Sequence, residues 1–362
     1  MNEPKPSRRT LLKHAGLGAA ASLLGAPMVI ADSKTKPPLQ DAIIGHGGFR
    51  YRVDLTWSQA DPAKTPVNDC HEMVQVADGR LFLLTNQPKN NVLIYDKSGK
   101  VLETWTLGFK GAHGLSLHKD AAGKEHLWVT DTSTGQVVKT TLAGQILLEL
   151  PTATKCGAYA EHTPYSPTET AVGPNGDIYV ADGYGSQYIL RFDAAGKFVS
   201  KFGGKSAIAS NAGKFLQAHG VALDTRGADP LLVCTERLRN EFHWFTLEGK
   251  FVRSVYLPGA FVSRPVIAGK NLYSGVCFGM KPNDFRMWKD RGFVVVLDEK
   301  DQLVSAPGGR PPKYADGALE VLLQDQPVFR NAHDVCVDDQ GDLYVAQWAA
   351  DKVYPYKLHR VG

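Results

Sequence analysis

Ala112-His113-Gly114-Leu115, Ala218-His219-Gly220-Val221 and Ala332-His333-Asp334-Val335 are near copies of one phrase. Each runs on to a short apolar segment: Leu127-Trp128-Val129-Thr130-Asp131, Leu231-Leu232-Val233-Cys234-Thr235-Glu236 and Leu343-Tyr344-Val345-Ala346-Gln347. The histidines recur 106 residues apart (113 to 219) and 114 apart (219 to 333). That is close to two repeats of the roughly 50 residues typical of a propeller blade. A histidine in one register on alternate blades faces the same central axis, so the phrase predicts three imidazoles meeting there.

Working outward, the clearest repeat is Thr170-Ala171-Val172-Gly173-Pro174-Asn175-Gly176-Asp177-Ile178-Tyr179-Val180-Ala181-Asp182, continuing through Ile189–Asp193 to Gly196–Val199. Asn-Gly is a hairpin turn signal, and the alternation after it gives one buried and one exposed face. The plan returns at 74–101 and again at 335–345. It reads as an inner strand, a glycine turn, a second strand, a loop and a third strand. Six repeats begin near His71, His113, Thr168, His219, Ser263 and His333. The fifth is the most divergent and carries an insertion from Gly279 to Arg291, of the kind that covers one mouth of a channel. Ile43 to Trp57 supplies the strand that closes the ring. The fold class is therefore all-β, a six-bladed β-propeller over residues 41–362, since a blade cannot bury both faces alone.

The residues ahead of it read differently. Ser7-Arg8-Arg9-Thr10-Leu11-Leu12-Lys13 is a twin-arginine pattern, an Ala- and Gly-rich stretch follows to Ile30, and Val29-Ile30-Ala31 fits a signal-peptidase site. Residues 1–31 are expected to be a Tat signal peptide and 32–40 a flexible mature N-terminus, which places the protein in the periplasm or outside the cell with no membrane contact after cleavage. Net charge is +4, with Lys and Arg scattered, so no basic stripe suggests nucleic acid. The five cysteines form no CxxC and read as small buried hydrophobes. Nothing marks an interface, and a monomer is expected.

One histidine at the head of an inner strand is explained by a polar tip near a wet channel; three in register on blades two, four and six are not. His113, His219 and His333 converge facially and suit Zn²⁺, or Fe²⁺. His71 shares their register on blade one, as a further ligand or, since its place breaks the three-fold geometry, as cavity lining. Glu72 and Glu169 follow the same register and read first as solvated strand ends, second as negative charge near the axis. Tyr184, in Asp182-Gly183-Tyr184-Gly185, is either an aromatic lid or a general base beside a cation. Arg237, in the matching loop of blade four, could clamp a carboxylate.

Taken together these residues resemble the NHL-repeat propellers, and within them peptidyl-α-hydroxyglycine α-amidating lyase. Four stretches carry the likeness: His113-Gly114-Leu115 with Trp128–Asp131; Pro167–Val172 with Ala181-Asp182-Gly183-Tyr184; His219 with Arg237; and His333-Asp334-Val335. The resemblance implies zinc on His113, His219 and His333, Tyr184 as base, and a structural Ca²⁺ held by Asp334 with the backbone near Leu115. It also implies a small-molecule or peptide-like carbinolamide substrate. Two departures stand out. The family's arginine after the second strand of blade one is missing from Leu84-Thr85-Asn86-Gln87-Pro88, and its cysteine after the tyrosine is Gly185. The readings that compete with the lyase are a non-catalytic NHL-type binding propeller and a Ca²⁺-dependent lactonase-like hydrolase, which would use carboxylate and Asn ligands instead of histidines.

Overall fold

The computed structural model describes residues 39–206 and 212–362. Six antiparallel sheets form a ring of blades, and Tyr314–Ala315 with Ala318–Leu319 makes a separate two-stranded hairpin. The inner strands are Cys70–Gln75, Ala112–Lys119, Glu169–Val172, Ala218–Asp224, the broken pair Ala260–Val262 and Val266–Ala268, and Ala332–Val337. Their starts fall where the repeats were expected. Each blade holds four main strands, not three. The missed outer strands, such as Val101–Trp105 and Ile146–Glu149, are mostly exposed and lack the alternation that reveals their inner neighbours.

Local chemistry explains the repeat. Second strands such as Leu81–Thr85 and Leu343–Gln347 are wholly buried between neighbouring blades and are rich in branched and aromatic side chains. The turn between first and second strands puts Gly79, Gly176 and Gly341 at φ of 90°, 85° and 81°, which a side chain strongly disfavours. At the outer turns, Asp96, Asp193 and Asp298 each accept the N–H groups two and four residues on.

Blade six is built from both ends of the described chain, in the order Ile43–His46, Phe49–Asp54, Tyr356–Arg360, Leu343–Gln347, Ala332–Val337. The closing segment is thus two strands. Phe49–Asp54 pairs with the C-terminal strand in the register Tyr51↔Arg360 and Val53↔Leu358. Gln40, expected in a flexible segment, accepts the N–H of Leu55 at 2.8 Å. Residues 1–38, which hold the expected Tat signal peptide and most of the segment expected to be flexible, lie outside the described residues. The Gly279–Arg291 insertion extends blade five as a hairpin of Asn271–Lys281 with Asp284–Trp288. All five cysteines are free, four of them buried. No helix among the described residues is long and apolar enough to cross a membrane.

Leu358 is fully buried where the two chain ends meet. Leu358→Ala is expected to cost about 2–5 kcal/mol in urea unfolding, whereas the half-exposed Ile43→Ala on the outermost strand should stay within about 0.5 kcal/mol.

Candidate functional site

Four imidazoles meet at one mouth of the channel. Ring centroids are 4.8 Å apart for His71–His113 and His113–His219, 4.9 Å for His71–His333 and His113–His333, and 5.1 Å for His219–His333. All four are at most 4% exposed. The structure thus brings the expected triad together and adds His71, expected rather to line the cavity. Ligand atoms of His71, His113 and His333 lie within 4.8 Å of one another.

Backbone carbonyls set the tautomers. The Nδ1 of His113 faces the Thr168 carbonyl at 2.9 Å, and that of His333 faces the His71 carbonyl at 3.0 Å. A carbonyl only accepts, so each Nδ1 carries the proton and each Nε2 presents a lone pair to the axis. The Nε2 of His333, Nδ1 of His71 and Nδ1 of His219 are buried without a partner. Burial lowers the pKa of all four rings, to about 4 for His71 and well below the ordinary value for the others. Neighbouring positive charge, Arg237 in every case, adds to it. Neutral buried imidazoles with orphaned nitrogens are a donor set that fits a transition metal.

Tyr184 bridges two of the rings: its hydroxyl is 3.1 Å from the Nε2 of both His113 and His219. The phenol donates to the bare nitrogen of His113 and accepts from His219. Its ring is 42% exposed at the mouth while the hydroxyl is enclosed. Burial pushes the phenol above its ordinary value, and the positive charge of Arg237 pulls it back. The loop is pinned by Asp182, whose carboxylate accepts from the Ser166 N–H (2.7 Å), the Ser186 N–H (2.6 Å) and the Tyr159 hydroxyl (2.8 Å). Burial pushes that carboxyl up to about 6 against those donors. A Cβ on Gly185 would lie 2.1 Å from the Asp182 carboxylate, so this packing has no room for the family's cysteine.

Arg237 opens a single 3-10 turn, 3% exposed, and donates to the Val262 carbonyl (3.2 Å) and the Ser263 hydroxyl (2.8 Å). Beside the histidines is a cavity of about 350 Å³ lined by Asn86, Lys110, Ser133, Tyr184 and Trp348. Lys289 lies 4.8 Å over the Trp348 ring. Lys110 and Trp348 were not singled out in the sequence, because neither belongs to the repeated phrase. Asn86 occupies this wall where the family's arginine was expected.

Glu72 and Glu169 are not solvated strand ends: they are 1% and 0% exposed, inside the channel. Burial, then mutual repulsion, pushes Glu72 well above the ordinary carboxyl range; burial also raises Glu169. The calcium expectation for Asp334 is overturned. Both its oxygens and the Leu115 carbonyl are bonded to the guanidinium of Arg264, at 3.0, 2.8 and 2.7 Å. The signal for Arg264 was available: it stands directly after Ser263, in the register position that is Glu72, Gly114, Glu169, Gly220 and Asp334 on the other blades.

Similarity to characterised proteins agrees with this geometry. The chain is 30% identical over 269 residues to the probable peptidyl-alpha-hydroxyglycine alpha-amidating lyase of Caenorhabditis elegans, covering 74% of this chain and 70% of that protein. The chain belongs to the peptidyl-α-hydroxyglycine α-amidating lyase family. It is also 26% identical over 276 residues to peptidyl-glycine alpha-amidating monooxygenase B of Xenopus laevis, covering 74% of this chain but only 29% of that protein. No protein-family model matches it. Among solved structures, a gluconolactonase from Xanthomonas campestris superposes with a TM-score of 0.56 at 14% identity (88% of this chain, 93% of that one). Virginiamycin B lyase from Staphylococcus aureus gives 0.51 at 15% identity (87% and 88%). At such identities the likeness is one of fold.

Glu236, next to Arg237, accepts from the Leu216 and Gln217 N–H groups and is pushed by burial up to about 7. A carboxyl raised on folding contributes stability below its unfolded pKa that is lost as pH rises through the folded one. Glu236→Gln should therefore gain on wild type between pH 5 and pH 8, by at most about 3 kcal/mol, in urea unfolding at the two pH values.

Proposed function

We propose that this protein is an exported, metal-dependent lyase that cleaves the N–C bond of an N-acyl or peptidyl α-hydroxyglycine, releasing an amide and glyoxylate. The observation that carries this reading is the Tyr184 hydroxyl held between two of four buried neutral imidazoles at a mouth edged with cations. Family membership supports the reaction class. The twin-arginine leader supports export.

His113, His219 and His333, with His71 beside them, would hold Zn²⁺ or Fe²⁺, which when bound supplies Lewis-acid polarisation of the substrate hydroxyl or carboxylate. The chain's own groups do the rest. The oxygen of Tyr184 takes the proton of the carbinol hydroxyl. The freed electron pair forms the aldehyde C=O as the C–N bond breaks, and the departing amide nitrogen recovers that proton. The number of protons is unchanged overall, so no co-reactant is needed. Arg237 has two jobs within reach. Its charge favours the phenolate of Tyr184, and its guanidinium, fixed by Val262 and Ser263, would meet the glycine carboxylate. Lys110 and Lys289 draw the anionic end of the substrate to this mouth.

Elemental analysis of the purified mature protein should find about one zinc or iron per chain, lost in His219→Ala. Tyr184→Phe should keep the metal while kcat on an N-acyl-α-hydroxyglycine falls by about 10²–10⁴-fold. A folded wild type that is metal-free and takes up no zinc would sink the reading. Export is checked separately: an Arg8→Lys, Arg9→Lys double variant should accumulate as precursor in the cytoplasm, while wild type appears outside it, beginning at Asp32.

A further inference from the structure

Directly below the histidines one side chain lies across the axis, in the wall of a cavity of about 400 Å³ that the inner strands line beyond it. Arg264 is 7% exposed, at the break in the inner strand of blade five, where Pro265 follows it. Its Nε and Nη2 hold Asp334 bidentately at 3.0 and 2.8 Å. Its Nη1 reaches the Leu115 carbonyl at 2.7 Å, and Nη2 also reaches the Met73 carbonyl at 3.0 Å. Carboxylate oxygens of Glu72 and Glu169 stand 3.6 and 3.9 Å away. The guanidinium on blade five therefore touches groups from blades one, two, three and six. On blade four, Gly220 leaves room: a Cβ there would come within 2.9 Å of the Arg264 Cα.

These contacts continue to the histidines. Asp334, directly after His333, also accepts the Met73 N–H at 2.8 Å, two residues beyond His71. Glu72, directly after His71, accepts the Leu115 N–H at 2.6 Å, two residues beyond His113. Calcium needs six to eight oxygens at about 2.3–2.6 Å. Here the oxygens that would serve it lie at hydrogen-bond distance from guanidinium nitrogens, and the space between them is filled. The calcium implied by the family does not fit this chain.

We propose that Arg264 is a built-in cation that replaces a channel metal ion and positions His71, His113 and His333. The cation cannot dissociate, so the channel is independent of calcium. A planar fork with fixed donors suits this role, since it meets acceptors from several blades in defined directions. The part concerning the histidines as ligands rests on the metal reading above; the replacement of calcium does not.

The test uses the full mature chain as wild type, Arg264→Ala and Arg264→Lys. Thermal unfolding is followed in EGTA and in millimolar CaCl₂, and Co²⁺ is titrated while its visible absorption is recorded. The wild-type midpoint should be the same in EGTA and calcium. Arg264→Ala should unfold at lower temperature and bind Co²⁺ about 10–100-fold more weakly with an altered spectrum, as for loss of a group that orients ligands. Calcium or guanidinium ion should restore both in part, by binding the folded state. Arg264→Lys, a point charge, should fall between the two, and carries the same measurements should the alanine variant not accumulate. Stabilisation of wild type by calcium would overturn the proposal. So would an Arg264→Ala protein with the wild-type midpoint and cobalt spectrum, or a loss that neither cation rescues, which would make Arg264 an ordinary core ion pair. A wild type that binds no Co²⁺ would instead refute the metal reading, while the calcium and midpoint measurements still decide Arg264.

Discussion

Six strands that converge on one axis cannot fill it with hydrocarbon, because each brings its edge of backbone N–H and C=O groups to the same narrow space. Those groups must be bonded there, out of reach of bulk water. The described residues meet this demand with two stacked layers. The first register position after the blade boundary supplies His71, His113, Thr168, His219, Ser263 and His333; the second supplies Glu72, Gly114, Glu169, Gly220, Arg264 and Asp334. The two glycines are part of the solution. A Cβ on Gly114 would stand 2.5 Å from the Thr168 carbonyl, the group that fixes the tautomer of His113. Large and absent side chains alternate, and five charged or polar contacts close around one guanidinium.

The layers depend on each other electrically. A buried guanidinium is tolerable only with carboxylates beside it, and the three here come from three different blades. Such a cluster is weak evidence for net stability, but it is directional: Arg264 makes four hydrogen bonds, to Asp334, Leu115 and Met73, with all three guanidinium nitrogens engaged. The layer above stays neutral for a related reason. Arg237 beside the imidazoles, together with their burial, disfavours protonation of any of them, so four lone-pair-bearing rings coexist at contact distance. Four protonated rings so placed would repel one another strongly.

Much of this was legible in the residues. The histidine phrase gave the blade period, and the starts of all six blades fell within a few residues of where the structure has them. What escaped the reading has physical causes. Outer strands carry little pattern because one face and one edge are wet. Arg264 was not singled out although a repeat was placed at Ser263, since arginine is rarely buried and Pro265, which cannot donate to a sheet ladder, blurs the strand pattern there. Glu72 and Glu169 look like surface charges unless the partner that neutralises them, on a distant blade, is known. Arg237 could be placed in a loop, but its effect on Tyr184 could not be read without the ring closed, because the two lie on different blades.

Two differences from the family pattern, the missing blade-one arginine and the presence of Arg264, acquire a common meaning in this frame. At Asn86 a cation is missing beside the site; at Arg264 one is present where the family resemblance implies calcium. Positive charge near the reacting groups has two tasks: to hold an anionic substrate and to make a phenol a usable base. Burial of the Tyr184 hydroxyl works against the second task, and the remedy nearest to hand is the guanidinium of Arg237, which is fixed by Val262 and Ser263 and cannot swing away. That immobility means the guanidinium offsets part of the cost of burying the phenol without having to move when substrate arrives. In the first task Lys110 and Lys289, exposed at the rim, would share the attraction of the anion with Arg237. A rim charge attracts an anion without dictating what is attached to it. Under the proposed reaction, tolerance for different acyl groups would be set by the shape around Trp348 and not by charge.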